Sequence, residues 1–124
     1  MIKWTIRKNN FKNHTLNLAP IYFALIKSGE KTLEGRLNDE KRKAFNIGDI
    51  ITFYKEPKKE ETMKAVVLDK YIFKDFEEMA NNLDKKDLGF AKHTKKEMIE
   101  TYRTIYNRED ENRYGVAVFK IKVL

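Results

Sequence analysis

Residues 28–36 read SGEKTLEGR, and the change of rhythm within this stretch decides the fold. Ahead of it, Ile21, Tyr22, Leu25 and Ile26 recur at helical spacing behind Pro20, a residue suited to the first turn of a helix because its missing donor costs nothing there. Gly29 supplies the left-handed stop that a residue with a Cβ reaches only at a cost. The period then falls to two: Leu33 and Leu37 share one side, while Thr32, Glu34 and Arg36 share the other. A helix, a tight reversal and a strand are predicted, the strand turning one face to a core and displaying charge on the other.

Toward the N-terminus, Ile2–Ile6 reads as a short strand, Asn9–Asn13 as a turn, and His14–Leu18 as a strand with Leu16 and Leu18 inward. Toward the C-terminus, Leu37–Phe45 is a solvated loop or helical turn, and Asn46–Asp49 turns at Gly48. Ile50–Tyr54 is apolar on both faces, as a central strand requires, and Glu56–Glu61 is an exposed hairpin connection before the strand Met63–Phe73. Phe76, Met79, Ala80 and Leu83 mark a helix over Lys74–Leu83, followed by an irregular segment over Asp84–His93. Thr94 and Glu97 fit a capping box at the start of a helix whose apolar side is Met98, Ile99, Tyr102, Ile105 and Tyr106. Asn107–Arg113 is a charged loop, and Tyr114–Leu124 is a strand with Ala117, Phe119, Ile121 and Val123 inward. Strands at both ends with helices between them, and no repeated strand–helix–strand unit, predict an α+β fold in one domain spanning residues 1–124, built on a small, strongly curved or barrel-like sheet.

A chain of 124 residues can bury a core without staples. The absence of cysteine excludes disulfides and thiolate metal sites. No apolar run is long enough to span a bilayer, and the basic N-terminal stretch lacks the continuous apolar segment of a secretory signal, so a cytoplasmic protein with no membrane partner is expected. Of the net charge of +7, residues 1–29 carry +5, because they hold five basic residues and no acid. Such a basic end beside a mixed-charge body suits a protein that meets a polyanion. His14 and His93 lack partners at metal-ligand spacing, no glycine loop for phosphate occurs, and Ser28 lacks a nucleophile-elbow context, so neither a metal nor a cofactor is expected.

Three stretches carry a resemblance: PIYFALIKSGEKTLEGRLNDEKR from Pro20, NIGDIITFY from Asn46 and YGVAVFKI from Tyr114. Together they resemble the ASCH (activating signal cointegrator homology) family of the PUA-like superfamily, whose pattern G-x-K-x-x-E-x-R is met by Gly29, Lys31, Glu34 and Arg36. The family's G-D before an apolar strand is met by Gly48 and Asp49, and the likeness runs from about residue 14 to residue 124. It implies a PUA-like curved β-barrel with packed helices, a basic cleft beside the motif strand, and RNA or a nucleotide-like molecule as ligand. One bacterial branch that the chain resembles removes the acetyl group of acetylcytidine with a lysine, a threonine and a glutamate. Its lysine corresponds to Lys31, but Glu34 stands at the threonine's place and Ala91 near the glutamate's. The resemblance therefore favours binding, with hydrolysis of acetylated cytidine nucleosides or RNA, or a protein-interaction module beside the transcription or translation machinery, as alternatives.

Within that frame Lys31 is a phosphate ligand or a catalytic base, against a solvated lysine favoured by the end of a helix. Glu34 and Arg36 form either a surface ion pair or a recognition pair, the acid accepting from a base amino group and the guanidinium forking onto phosphate or a base edge. Arg42 either adds backbone contacts or belongs to a solvated charge run. Tyr106, Tyr114 and Trp4 offer rings for stacking on an unpaired base, or serve as core aromatics.

Overall fold

The computed structural model describes residues 11–124. The strand expected at Ile2–Ile6, Trp4 and the start of the Asn9–Asn13 turn lie outside the described residues. In chain order the elements are β1 (Asn13–Leu18), α1 (Pro20–Ser28), β2 (Leu33–Leu37), α2 (Glu40–Lys43), β3 (Ile50–Lys55), β4 (Thr62–Phe73), α3 (Phe76–Asn82), α4 (Lys95–Ile105), α5 (Arg108–Tyr114) and β5 (Val116–Val123). The strands form one mixed sheet in the order β1-β3-β4-β5-β2. β1 runs parallel to β3, and every other pairing is antiparallel. A register shift between Val67 and Asp69 breaks the β4–β5 ladder, the kind of irregularity that bends a strand and raises its twist. The sheet curls into a half-barrel whose two edges, β1 and β2, approach each other: the Arg36 Nη2 donates to the Asn17 carbonyl at 2.7 Å.

Apolar clusters lie on both faces of the curl. Inside, Leu16, Leu18, Phe53, Ala65, Ala117 and Phe119 meet Phe23 and Ile26 of α1. Outside, Leu33, Leu37, Val116 and Val118 are covered by Phe76 and Met79 of α3 and by Met98 and Tyr102 of α4. Because Glu34 stands opposite Phe119 in the ladder and Arg36 opposite Ala117, the charged face of β2 turns into the barrel. The expectation of a charged face displayed outward is thus corrected: the helices cover the Leu33/Leu37 side and the curl encloses the other, leaving β2 buried on both. The stripe on α1 is also redrawn. Phe23 is buried where the spacing favoured Ile21, which is 61% exposed. Gly29 ends the helix with φ 87°, as expected, and Thr94 and Glu97 form the full capping box of α4.

Residues expected to form a charged loop are the helix α5. Asn107 caps it by accepting from the Asp110 N–H at 2.8 Å, and Glu109, Asp110 and Glu111 occupy the first turn, where the helix dipole favours acids. NREDENR has no apolar period to reveal a helix because the side chain it buries is a carboxylate. Glu111 is fully buried and receives Arg103 Nε and Nη2, both at 3.0 Å, together with the Phe76 N–H at 3.0 Å. One carboxylate thereby joins the starts of α3 and α5 to the end of α4. We expect Glu111→Ala to cost about 2–4 kcal/mol in urea unfolding, since it strands a buried backbone donor and a guanidinium; a loss below about 0.5 kcal/mol would contradict that role.

Candidate functional site

The helix end at Gly29 delivers Lys31 to the start of β2, and the two-residue period of that strand sets Glu34 and Arg36 side by side. The three form a row with the acid in the middle. Lys31 Nζ lies 3.3 Å from Glu34 Oε1, and Arg36 Nε is 2.6 Å from Glu34 Oε2. Lys31 and Glu34 are only 3% and 5% exposed, so the solvated lysine at a helix end and the open surface ion pair are both excluded. The Lys31 ammonium also donates to the carbonyls of Leu33 at 2.7 Å and Leu88 at 2.8 Å. Three acceptors around one nitrogen call for three N–H donors, the charged form. Burial lowers the Lys31 pKa from its ordinary value, with Glu34 opposing. For Glu34, burial favours the neutral acid, but Lys31 and then Arg36 outweigh it and hold the carboxyl below its ordinary range. Burial likewise works against the Arg36 charge, yet Glu34 raises its pKa overall.

Glycines make the row possible. A Cβ on Gly89, whose φ is +92°, would stand 2.9 Å from Lys31 Cδ. One on Gly35 would stand 3.0 Å from the Tyr102 hydroxyl and 3.4 Å from Met79 Sδ, so α4 packs against β2 behind the row only because that position has no side chain.

The row forms one wall of a cleft of about 370 Å³ at the gap between β1 and β2. Tyr22, Phe90, Tyr102 and Tyr106 line much of the remainder, with Thr101 and Ile105 of α4, Asn17, Leu18 and Ala19 at the end of β1, and Glu56. Lys31 lies 5.7 Å from the centroid of the Tyr22 ring, and the rings of Tyr22 and Phe90 are 5.7 Å apart. Burial, and then Glu34, push the Tyr102 hydroxyl well above its ordinary pKa, keeping it a neutral donor. The volume is that of a small-molecule site, and the mixture of apolar walls with a few fixed polar groups is what such sites use. The expectation of a basic cleft is corrected by count: Lys31 and Arg36 are matched by Glu34 and Glu56.

Of the residues singled out from the sequence, Lys31, Glu34, Arg36 and Tyr106 meet in this cleft. Arg42 and Tyr114 do not line it. Arg42 turns back to its own helix cap, with Nη1 3.0 Å from Asp39 Oδ2, and the Tyr114 ring lies 5.1 Å from the Arg113 guanidinium. Tyr22, Glu56, Phe90 and Thr101 also line the cleft without any motif to mark them, and Tyr102 and Ile105 read in the sequence only as the apolar side of a helix. Tyr102 is buried, while Ile105 is 63% exposed at the cleft. No spacing rule picks these residues out, because they come from four segments brought together by the curl. Among the described residues no group of three His, Cys, Asp or Glu side chains could hold a metal ion, and no helix is long and apolar enough to cross a membrane.

The ASCH domain family matches residues 16–124. The chain belongs to that family. ASCH domains are generally associated with RNA binding. Among solved structures the chain is similar to hypothetical protein PH0355, with a TM-score of 0.80 at 33% identity over 92% of this chain and 100% of that one. It is also similar to protein PF0455 from Pyrococcus furiosus, with a TM-score of 0.68 at 31% identity over 92% of this chain and 98% of that one. A search of curated proteins finds none that matches. The ASCH assignment accords with the motif Gly29-x-Lys31-x-x-Glu34-x-Arg36 and with the curled half-barrel.

Two measurements check the row. Because the folded-state pKa of Glu34 lies below its unfolded value, its contribution to stability is present above the ordinary glutamate pKa and is lost as pH falls through the folded value. Glu34→Gln, which leaves two cations without their acid, should cost about 3–5 kcal/mol near neutral pH and flatten the acid limb of the stability curve; an unchanged acid limb would contradict the ion row. Gly29→Ala meets open space and should cost about 1–2 kcal/mol from its left-handed backbone alone. Gly89→Ala carries the same backbone strain and adds the clash with Lys31, so it should cost more in the same unfolding assay.

Proposed function

We propose that this ASCH domain binds an unpaired nucleobase, as part of RNA or of a nucleotide-like molecule, and acts by holding it without breaking a bond. The observation that carries this reading is a fixed acceptor beside a fixed donor in the wall of a cleft that four aromatic rings also line. Glu34 uses one lone pair of each oxygen on its neighbours, which leaves acceptor capacity for an exocyclic amino group. Arg36 spends Nε on Glu34 and Nη2 on Asn17, and its Nη1 has no partner among the described residues. An acceptor beside a donor suits a base edge that presents an amino group next to a ring nitrogen or carbonyl. Tyr22 and Tyr106 supply rings for stacking, the usual means by which proteins hold single-stranded bases.

Lys31 is poorly placed to act as a base. A hydrolytic lysine needs a free lone pair, whereas this nitrogen donates to three acceptors at once. Its role in this reading is to hold Glu34 ionised and oriented.

Titration with the four ribonucleosides and with short single-stranded RNA, followed by NMR, should shift resonances of the cleft residues. Tyr106→Leu should weaken binding about tenfold or more while the melting transition is retained, in line with the ~1–3 kcal/mol contributed by stacking on one base. Binding that leaves the cleft resonances unmoved, or that ignores Tyr106, would refute the reading.

A further inference from the structure

A second hollow of about 220 Å³ is lined by residues that flank Tyr22 and Phe90 in the chain. The two hollows share no lining residue, yet their linings alternate along the chain. Tyr22 and Phe90 face the aromatic cleft, while their sequence neighbours Ile21, Gly89 and Ala91 line the second hollow. The two hollows are therefore neighbours. Around the second hollow stand Lys86, Lys92 and His93, with Glu30 as the one acid. Neither Lys86 nor Lys92 has a carboxylate partner among the described residues, whereas Lys27 and Lys55 are both engaged by Glu61. The loop that carries them is anchored: Leu88 is fully buried, Phe90 is 3% exposed, and Lys31 holds the Leu88 carbonyl.

The aromatic cleft, with two cations against two carboxylates, has no net charge to offer a phosphate. A nucleotide whose base enters it must set its phosphodiester somewhere else, and Lys86 and Lys92 stand without a carboxylate partner on the anchored loop that also carries Phe90. We infer that the hollow bounded by Lys86, Lys92 and His93 takes the phosphodiester, and the adjoining nucleotide, of a single-stranded RNA whose neighbouring base occupies the cleft. This inference rests on the proposed function. The lysines neutralise the backbone, and the exposed side chain of Ile21, with Ala91, gives the next base an apolar surface.

The test compares a ribonucleoside, a dinucleotide and an octanucleotide of the same base, each at low and high salt, on the native chain and on Lys86→Ala/Lys92→Ala. Lys64→Ala/Lys120→Ala removes equal charge from residues that line none of these cavities and serves as the control. The hollow variant should bind the nucleoside like the native chain but lose octanucleotide affinity, and its salt slope should fall by about 1.4, the share of two phosphate contacts on a single strand. Between 50 and 200 mM salt that removes roughly a sevenfold part of the affinity change. Nucleoside binding with an oligonucleotide affinity equally indifferent to both double variants, or equally reduced by both, would overturn the inference. Loss of oligonucleotide binding confined to the hollow variant, with no nucleoside binding to any chain, would uphold the basic track and overturn the base cleft.

Discussion

The structure depends on a carboxylate held between two cations where water is nearly excluded. Moving such charges out of water is expensive, and the arrangement persists only because each polar atom has somewhere to go. Lys31 gives its protons to Glu34 and to two carbonyls, one of them Leu88 in the irregular segment. Arg36 reaches from β2 to the Asn17 carbonyl at the end of β1. The row thereby ties two distant parts of the chain to one strand and holds together the two sheet edges that hydrogen-bonded ladders leave apart. Its ends are occupied by structural duties, so what it turns toward the cleft is limited and fixed in direction.

That economy explains the contrast between the composition of the chain and the character of its cleft. A net charge of +7 acts at long range, raising the frequency with which a polyanion arrives. Inside the hollow the charges cancel, leaving shape, ring faces and a few directed hydrogen bonds as its character.

Much of this was legible in the chain itself. The stop at Gly29, the turn at Gly48, the capping box of Thr94 and Glu97 and the alternating inner residues of β5 all follow from local chemistry that tertiary packing did not override. Period two also placed Glu34 and Arg36 on one face. Which way that face points was not legible, because it depends on β2 joining β5 at the edge of a curled sheet and on α4 closing the opposite side. The same limit applies to Phe90, whose neighbours in sequence say nothing of its neighbour Tyr22 in space. Helix α5 escaped for a different reason: a buried glutamate satisfied by Arg103 leaves no apolar trace.

The position of β5 has a bearing on biosynthesis. It comes last of the five described strands, yet it sits inside the sheet, flanked by β4 and β2. While residues 116–123 are still within the ribosome, β2 has no ladder to join, and the half of the wall that carries Glu34 and Arg36 has no fixed place. The nascent chain can form the β3–β4 hairpin early, but β2 cannot take its place in the wall until residues 116–123 have emerged.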